Sequence, residues 1–264
     1  MIGLLRISSV LLTVAVVTPP LAVLQYLAVK AGRFDRAIPR LWHGMVLRLL
    51  GMRVHVLGRM ADERPLLLAS NHISWTDIMV LGAVGDVNFI AKSEVSGWPG
   101  ISILAYLQRS VFVERDRRRK SGDQAGEIAA RMRRGDAMVL FAEGSTGDGN
   151  LLLPFKSTLF GAAALAAQAD GAPVIVQPVV IAYTRFHGMP MNRQHRTVAS
   201  WTGDTSLVPH LFALMREGAV DVEVRFGEPL AYDAGTNRKA LAREVERRAR
   251  DMFVDALRAP RGGR

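Results

Sequence analysis

The stretch "LLLASNHISWTD", which runs from Leu66 to Asp77, changes character in its middle. Its first four residues are apolar, and a strand that is apolar on both sides is typical of a sheet covered by helices on both faces. The polar residues that follow are Ser70, Asn71, His72, Ser74 and Asp77. They lie where the predicted strand ends, and the carboxyl ends of strands are where open α/β sheets bind ligands.

His72 and Asp77 are five positions apart, a spacing that a regular helix would place roughly 140° apart around its axis. The two side chains can meet only if His72 lies in a turn and Asp77 in the first turn of the next helix. Ser74 and Asp77 also have the S-x-x-D spacing of a capping box, which predicts a capped helix with His72 merely exposed. In the alternative interpretation, Asp77 accepts a hydrogen bond from one ring nitrogen of His72, and the other nitrogen takes a proton from a substrate hydroxyl.

Short apolar runs alternate with helical patterns on either side of this stretch. The predicted strands cover residues 65–69, 87–91, 110–114, 137–142, 174–182 and 220–226, and the predicted helices cover 75–84, 121–134, 157–169 and 237–257. Pro178 inside its strand predicts an edge position or a bulge. Strict alternation of apolar and charged residues over 220–226 predicts one face in contact with water. Together the elements predict an α/β fold, a single domain with a central sheet flanked by helices.

The N-terminal segment is apolar enough to interact with a membrane. Between Arg6 and Lys30 lie 23 uncharged residues, which as a helix would cover roughly 34 Å and could cross a hydrocarbon core of about 30 Å. Pro19 and Pro20 divide this segment, so a bent span or a shallow re-entrant hairpin is predicted as readily as a straight crossing. A cleaved signal peptide is the alternative.

Residues 38–50 form an amphipathic pattern, with apolar residues at steps of three and four and arginines off that stripe. Trp42 on the apolar side favours a helix in the headgroup layer, although a helix packed on the core has the same pattern. We therefore divide the chain into membrane-associated helices, residues 1–56, and an α/β domain, residues 57–264.

Composition narrows the classes of function. The chain has no cysteine, which excludes disulfides, thiolate metal sites and a thiol nucleophile. Its formal net charge of +10 fits nucleic acid, an anionic membrane or an anionic substrate. With only 7% aromatic residues, the base-stacking platform of a nucleic-acid binder is missing. A non-enzymatic membrane-surface adaptor would explain the charge and the N-terminus, but not polar clusters at strand ends.

A second polar cluster follows another apolar strand in "VLFAEGSTGDGN", Val139 to Asn150. Its glycine spacing resembles half of a P-loop, but the required Lys-Ser/Thr pair is absent, and the chain has no G-x-S-x-G elbow of a serine hydrolase. Lys92, Arg109 and Arg115 lie near other predicted strand ends. Basic residues at such positions can neutralise a phosphate or a carboxylate.

These segments resemble the sequence blocks of the glycerolipid acyltransferases, the family of 1-acylglycerol-3-phosphate acyltransferases. "NHISWTD" resembles the N-H-x-x-x-x-D motif of that family. The further blocks follow in order: Lys92 and Pro99 with "SVFVER" ending at Arg115, "FAEGST" from Phe141, "LPFKS" with Lys156, and "VQPVV" around Pro178. The resemblance covers roughly residues 57–230, and it also implies a mixed sheet and a membrane-embedded N-terminal helical unit.

The resemblance implies direct acyl transfer to a lysolipid hydroxyl from a thioester of acyl-carrier protein or coenzyme A, with no other cofactor and no metal. His72 is then the general base and Asp77 its orienting partner. The implied substrate-binding residues are Lys92, Arg115, Glu143, Gly144, Ser145, Thr146 and Lys156. The implied partners are membrane lipids, not nucleic acid, and the implied location is the bacterial inner membrane with the active site at its cytoplasmic face.

One position departs from the family pattern and bears on the acceptor. Thr146 stands where the lysophosphatidate-specific members have the arginine of E-G-T-R, a side chain suited to gripping phosphate. The stretches "EGSTGDGNLLLPFKSTLFGAA" and "WTGDTSLVPHLFAL" resemble bacterial lyso-ornithine-lipid acyltransferases. The sequence therefore favours lyso-ornithine lipid as acceptor. Lysophosphatidate, with Lys156 contacting its phosphate, is the alternative.

Overall fold

The structure is a computed structural model that describes residues 2–32, 36–113, 118–170, 172–203 and 205–260. Its strands are β1 Met52–Leu57, β2 Leu66–Ser70, β3 Val87–Lys92, β4 Val111–Val113, β5 Ala137–Phe141, β6 Val174–Phe186, β7 Met189–Pro190, β8 Val220–Phe226 and β9 Leu230–Tyr232. Its helices are α1 Ile2–Lys30, α2 Ala37–Leu49, α3 Thr76–Val84, α4 Ile101–Leu107, α5 Arg118–Arg133, α6 Gly161–Asp170, α7 Arg196–Ala199, α8 Leu207–Glu217 and α9 Arg238–Arg258.

All the strands of the described ranges belong to one mixed sheet, as predicted. The strand order is β1-β8-β6-β2-β5-β3-β4, and β7 and β9 pair with β6 outside this path. The strands β2 to β6 run parallel, whereas β8 is antiparallel to β6. From β2 the chain moves first toward β4 and then back toward β6. Because such crossovers are right-handed, α3 and α4 cover one face of the sheet and α5 and α6 the other.

The core lies on both faces of the central strands. Every residue of β2 and of β5 is buried, which explains why these strands are apolar throughout rather than alternating. Ser70 and Phe141 are paired at the carboxyl ends of these two neighbouring strands. The polar segments that follow both strands therefore begin side by side at one edge of the sheet.

The prediction that one face of β8 contacts water is wrong. Asp221, Glu223 and Arg225 are all buried, because helix α9 packs over this side of the sheet, where its Asp255 binds Arg225. Their charges are paired: Arg53 Nε donates to Asp221 Oδ1 at 2.8 Å, and Arg225 Nε donates to Glu223 Oε2 at 2.9 Å. Alternation of charged and apolar residues here marks buried ion pairs, which have the same sequence pattern as a solvated face.

The prediction for Pro178 is also wrong, because β6 is a central strand. β9 pairs with residues 174–176 of β6, and β8 pairs with it from Val179 onward. Pro178 lies between these two antiparallel partners, where a missing N–H interrupts neither ladder. The register of β6 against β8 does shift, but between Tyr183 and Arg185.

The N-terminal segment forms one helix rather than a re-entrant hairpin. α1 continues through Pro19 and Pro20. Both prolines are exposed. Each removes a main-chain donor and destabilises the helix, but α1 is bonded to the body on both sides of them, at Thr18 and at Gln25. The helix over residues 3–30 is long and apolar enough to cross a membrane, by length and composition, and the mean hydropathy of an 18-residue window within it is 2.1.

α1 packs along the body of the protein from end to end. Hydrogen bonds join it to the body at three levels: Arg6 Nη2 to Leu50 O at 3.0 Å, Trp42 Nε1 to Thr18 Oγ1 at 2.9 Å, and Gln25 Nε2 to Leu107 O at 3.3 Å. Its outer side is apolar and exposed, for example at Leu4, Leu5, Leu12, Val16 and Leu27. An uncovered apolar surface of this size indicates membrane association.

The amphipathic helix predicted over residues 38–50 is α2. It packs between α1 and α3, with His43, Val46 and Leu47 buried. Arg40 is exposed but also contacts α3, since its Nε donates to Ala83 O at 3.2 Å. β1 follows directly and lies across the predicted boundary at residue 56, so the division of the chain at that point stays a prediction.

Candidate active site

The side chains of His72 and Asp77 meet at the carboxyl edge of the sheet. His72 Nδ1 lies 2.8 Å from Asp77 Oδ2. The same oxygen accepts the main-chain N–H groups of Ile73 at 2.6 Å and Ser74 at 2.9 Å, and Tyr183 donates to Oδ1 at 2.7 Å. Asp77 thus reaches back to the turn as in a capping box. Ser74 Oγ, its expected counterpart, does not cap the helix and instead faces the hydroxyl of Tyr183.

Local sequence explains why His72 lies in a turn. β2 ends at Ser70, and Asn71 then continues the pairing with β6 through its side chain: Nδ2 donates to Ile181 O at 2.9 Å, and Oδ1 accepts from Ile181 N at 2.8 Å. The next helix, α3, begins only at Thr76. His72 is therefore free of regular structure and lies close to the start of the helix that carries its partner.

The imidazole of His72 has one occupied and one available nitrogen. A carboxylate can only accept, so Nδ1 carries the hydrogen toward Asp77 and Nε2 presents its lone pair. The ring stacks on Phe141, with centroids 3.9 Å apart and planes 14° apart, and its side chain is 18% exposed against 0% for Asp77. An imidazole held in this way can act as a base toward a hydroxyl.

Glu143, two residues after the end of β5, forms hydrogen bonds both to the turn at His72 and to the segment at Leu153. Its Oε2 accepts the N–H of His72 at 2.7 Å, and its Oε1 accepts the N–H of Leu153 at 2.7 Å. Burial raises the pKa of this carboxyl to about 8, the charge of Asp77 adds to the effect, and the two N–H donors and Arg250 oppose it. Both oxygens are engaged within the protein, which favours a role of Glu143 in shaping the site.

The segment after Glu143 turns sharply and then returns to the sheet. Gly144 has a φ of +74°, a conformation that favours glycine. Ser145 is exposed and Thr146 is half-buried. Gly147 then donates its N–H to His72 O at 2.8 Å. This turn therefore forms a wall beside the candidate base.

Lys156 lies close to the same strand end. Its N–H donates to Ala142 O at 2.8 Å, and its side chain is exposed. Helix α9 braces the preceding residues from outside: Phe155 N donates to Glu246 Oε2 at 3.0 Å, and Arg250 donates to Leu152 O at 3.3 Å. The fold therefore fixes the main chain of Lys156 beside the strand end that leads to Glu143.

The other basic candidates have different positions. Lys92 ends β3 at the same sheet edge as His72, and its ammonium lies 2.7 Å from Glu94 Oε1. Arg109 lies at the opposite edge, 3.6 Å from Asp136 just before β5, so the structure does not bring it to the site. Arg115 lies outside the described residues.

Sequence reasoning missed two residues that contact Asp77 or the turn after His72. Tyr183 binds Asp77, as described above. Trp201 donates its main-chain N–H to Ile73 O at 2.9 Å, and its ring lies edge-on to Trp98 at 6.2 Å. These residues come from segments far apart in the chain, and an apolar run such as "VVIAY" around Tyr183 carries no local signal of a site.

Comparisons with known proteins show the family to which the chain belongs. The Acyltransferase family model matches residues 51–182. A lyso-ornithine lipid O-acyltransferase from Brucella abortus (strain 2308) is 54% identical over 259 residues, which cover 97% of each chain. A 1-acyl-sn-glycerol-3-phosphate acyltransferase from Neisseria gonorrhoeae is 30% identical over 224 residues, 84% of this chain and 82% of the relative. The crystal structure of the 1-acyl-sn-glycerophosphate (LPA) acyltransferase PlsC from Thermotoga maritima has the same fold, with a TM-score of 0.68 over 98% of each chain at 20% identity.

Proposed function

Because this chain belongs to the acyltransferase family and is an O-acyltransferase, we propose that it acylates the hydroxyl group of lyso-ornithine lipid. Its identity to the lyso-ornithine lipid O-acyltransferase is 54%, against 30% for the relative that acts on 1-acyl-sn-glycerol-3-phosphate. The observation that carries the proposed chemistry is the His72–Asp77 pair, with its contact of 2.8 Å and its available Nε2.

In the proposed reaction the acceptor hydroxyl attacks the carbonyl carbon of an acyl thioester. His72 Nε2 takes the hydroxyl proton as the new C–O bond forms. The C–S bond then breaks, and the proton on His72 passes to the leaving thiolate, so that an ester and a free thiol result. Asp77 stabilises the imidazolium that exists between these two transfers. The chain has no cysteine, which is consistent with direct transfer.

The residue at position 146 supports an amino-acid headgroup. An ornithine headgroup presents a carboxylate of single charge, whereas lysophosphatidate presents a phosphate of nearly double charge. Lys156 and Lys92 each offer one ammonium, and the proposal assigns both of them, together with Arg115, to the anionic part of the headgroup. Thr146 offers a hydroxyl instead of the guanidinium that suits a phosphate. Gly144 and Ser145 would shape the wall beside the acceptor.

The proposed location is the cytoplasmic face of the bacterial inner membrane. α1 contacts the body along its length, and its exposed side is apolar. A helix held in this way favours a protein seated in the lipid surface, with the acceptor entering from the membrane. The proposed donor is a thioester of acyl-carrier protein or coenzyme A, both of which are cytoplasmic, and no other cofactor is required.

A side-by-side transfer assay tests the acceptor. Purified protein in detergent receives lyso-ornithine lipid or lysophosphatidate, separately, with the same acyl-carrier-protein thioester, and mass spectrometry follows the product. We expect kcat/KM to be much higher for lyso-ornithine lipid. A preference for lysophosphatidate would identify a phosphatidate-forming enzyme, and no transfer to either lipid would favour a non-enzymatic membrane adaptor.

A further inference from the structure

We propose that Tyr183 is a positioning residue for the catalytic pair, acting on His72 through its hydrogen bond to Asp77. The inference rests on the proposed function, in which His72 is the general base. Tyr183 touches neither the ring of His72 nor, in this proposal, the substrate. Its hydroxyl fixes the carboxylate that orients the base.

The two oxygens of Asp77 are bonded very unequally. Oδ2 accepts from His72 Nδ1 and from the N–H groups of Ile73 and Ser74, at 2.6 to 2.9 Å. Oδ1 accepts from the hydroxyl of Tyr183 at 2.7 Å, the single donor to that oxygen within the described ranges. Asp77 is 0% exposed, so water cannot simply replace this donor. Loss of the hydroxyl would leave half of a buried carboxylate without a hydrogen bond.

Tyr183 is itself held in a defined orientation. It is 1% exposed, and its hydroxyl oxygen lies 2.5 Å from Thr76 Oγ1. Since the phenolic hydrogen goes to Asp77, Thr76 donates to the tyrosine oxygen. Two hydroxyls therefore point in series at the carboxylate, and the donor in the middle of such a chain is polarised by the outer one.

An irregularity of the sheet coincides with this residue. The register of β6 against β8 shifts between Tyr183 and Arg185. Bulges of this kind change the direction of a side chain and occur often beside active sites. Two residues earlier in β6, the main chain of Ile181 forms two hydrogen bonds with the side chain of Asn71. β6 thus binds the segment of residues 71–77 at two points, through the main chain of Ile181 and through the hydroxyl of Tyr183.

The Tyr183 hydroxyl remains a neutral donor over the working pH range. Burial raises the pKa of Tyr183 well above its ordinary value, and the charge of Asp77 raises it further. The other titratable groups facing the pair are Glu143, bonded to the N–H of His72, and Arg250, whose charge acts on Glu143. His210 is more remote and contacts the turn through Trp75. Replacing Tyr183 by phenylalanine changes none of these charges.

The experiment compares Tyr183→Phe with the wild-type enzyme and with Tyr232→Phe. Tyr232 is another tyrosine of the same sheet, buried in β9 and paired with Val174. For Tyr183→Phe we expect kcat to fall about 10-fold, as for loss of a hydrogen bond to a charged group, while KM for both substrates stays unchanged. The carboxylate becomes a stronger partner for a protonated imidazole, so the acid limb of the pH–rate profile moves to higher pH. Tyr232→Phe is expected to match the wild type in both respects.

Variants of Thr76 give a second measurement that does not remove Tyr183. Thr76→Val removes the outer donor, and we expect a smaller loss of kcat, about 3-fold. Thr76→Ser keeps the hydroxyl and is expected to restore kcat. If Tyr183→Phe does not fold, the comparison of Thr76→Val with Thr76→Ser tests the proposal on its own. Equal kcat values for these two variants would overturn it.

His72→Ala, measured in parallel, separates this inference from the proposed function. If His72→Ala keeps its turnover, the base assignment fails, and the role of Tyr183 fails with it. If His72→Ala loses transfer while Tyr183→Phe keeps a wild-type kcat and pH profile, only the inference about Tyr183 is overturned. A Tyr183→Phe variant with a lower melting temperature but an unchanged kcat and pH profile would overturn it too, because it would show a purely structural role.

Discussion

The carboxyl group of Glu143 accepts the main-chain N–H of His72 at 2.7 Å, although 71 positions separate the two residues. The contact is possible because β2 and β5 are neighbours, with Ser70 and Phe141 paired at their ends. Glu143 binds Leu153 with its other oxygen. The main-chain position of the candidate base therefore depends on a side chain from the second polar cluster, and the two clusters form one site.

Glu143 gives the protein a characteristic pH dependence. Its pKa is raised from 4.5 to about 8, so between these values the folded state keeps a proton that the unfolded chain loses. The unfolded state then binds fewer protons, and the contribution of Glu143 to stability falls as pH rises from 4.5 to about 8. Glu143→Gln is expected to remove this part of the slope. The measurement is the melting temperature of both proteins over this pH range.

An exposed glutamate provides the control for this experiment. Glu228→Gln changes the same functional group at the surface and is expected to keep the wild-type slope. If Glu143→Gln has the same pH slope as the wild type and as Glu228→Gln, the raised pKa of Glu143 is wrong.

Lys156 is expected to bind the headgroup rather than to act in the chemical step. Lys156→Ala removes one exposed ammonium, so KM for the lysolipid rises about 10-fold, whereas kcat changes little. Lys156→Arg keeps the charge and most of the affinity. Lys239→Ala, at an exposed position on α9, is the control and is expected to resemble the wild type. An unchanged KM for Lys156→Ala would remove this residue from the acceptor site.

Thr146 is expected to influence the choice between acceptors. Thr146→Arg introduces the guanidinium that phosphate-binding members of the family carry in this block, and a bidentate contact favours phosphate over carboxylate. We expect the ratio of kcat/KM for lysophosphatidate to kcat/KM for lyso-ornithine lipid to rise about 10-fold. Equal ratios for the variant and the wild type would show that selectivity is set elsewhere.

Gly82 in α3 allows the close packing of α2 against α3. A methyl group at this position would overlap the ring of His43, which is buried and has a pKa lowered to about 4 by that burial. Gly82→Ala is therefore expected to lower the free energy of unfolding by about 1–3 kcal/mol. Gly44→Ala on α2 meets nothing within 4 Å and is expected to raise it by about 0.5–1 kcal/mol. Denaturant unfolding in detergent measures both, and a stable Gly82→Ala variant would contradict the packing.

Much of the fold could be predicted from the sequence because local patterns carry it. The continuous apolar runs of β2 and β5 predict strands covered on both faces, and the break at Ser70 predicts a turn before α3. The predicted turn before α3 also allows His72 to contact Asp77, which their spacing on a regular helix would prevent.

The failures have physical causes outside any local pattern. Charges in alternation look the same whether they face water or, like Glu223 and Arg225, face each other. The contribution of Tyr183 depends on which strands become neighbours, since β6 joins β2 only after more than 100 intervening residues. Pro19 and Pro20 signal a break, but a helix on an apolar surface can continue through them when they lie on its outer side.

The most direct test of the account is the turnover of His72→Ala with lyso-ornithine lipid and an acyl-carrier-protein thioester. Membrane association is measured on the same preparations. The account predicts that turnover falls by about 10²- to 10⁴-fold, the usual contribution of a general base, whereas membrane association is unchanged because α1 is intact. A His72→Ala variant with near-normal turnover would contradict the assignment of His72 as the base that activates the acceptor hydroxyl.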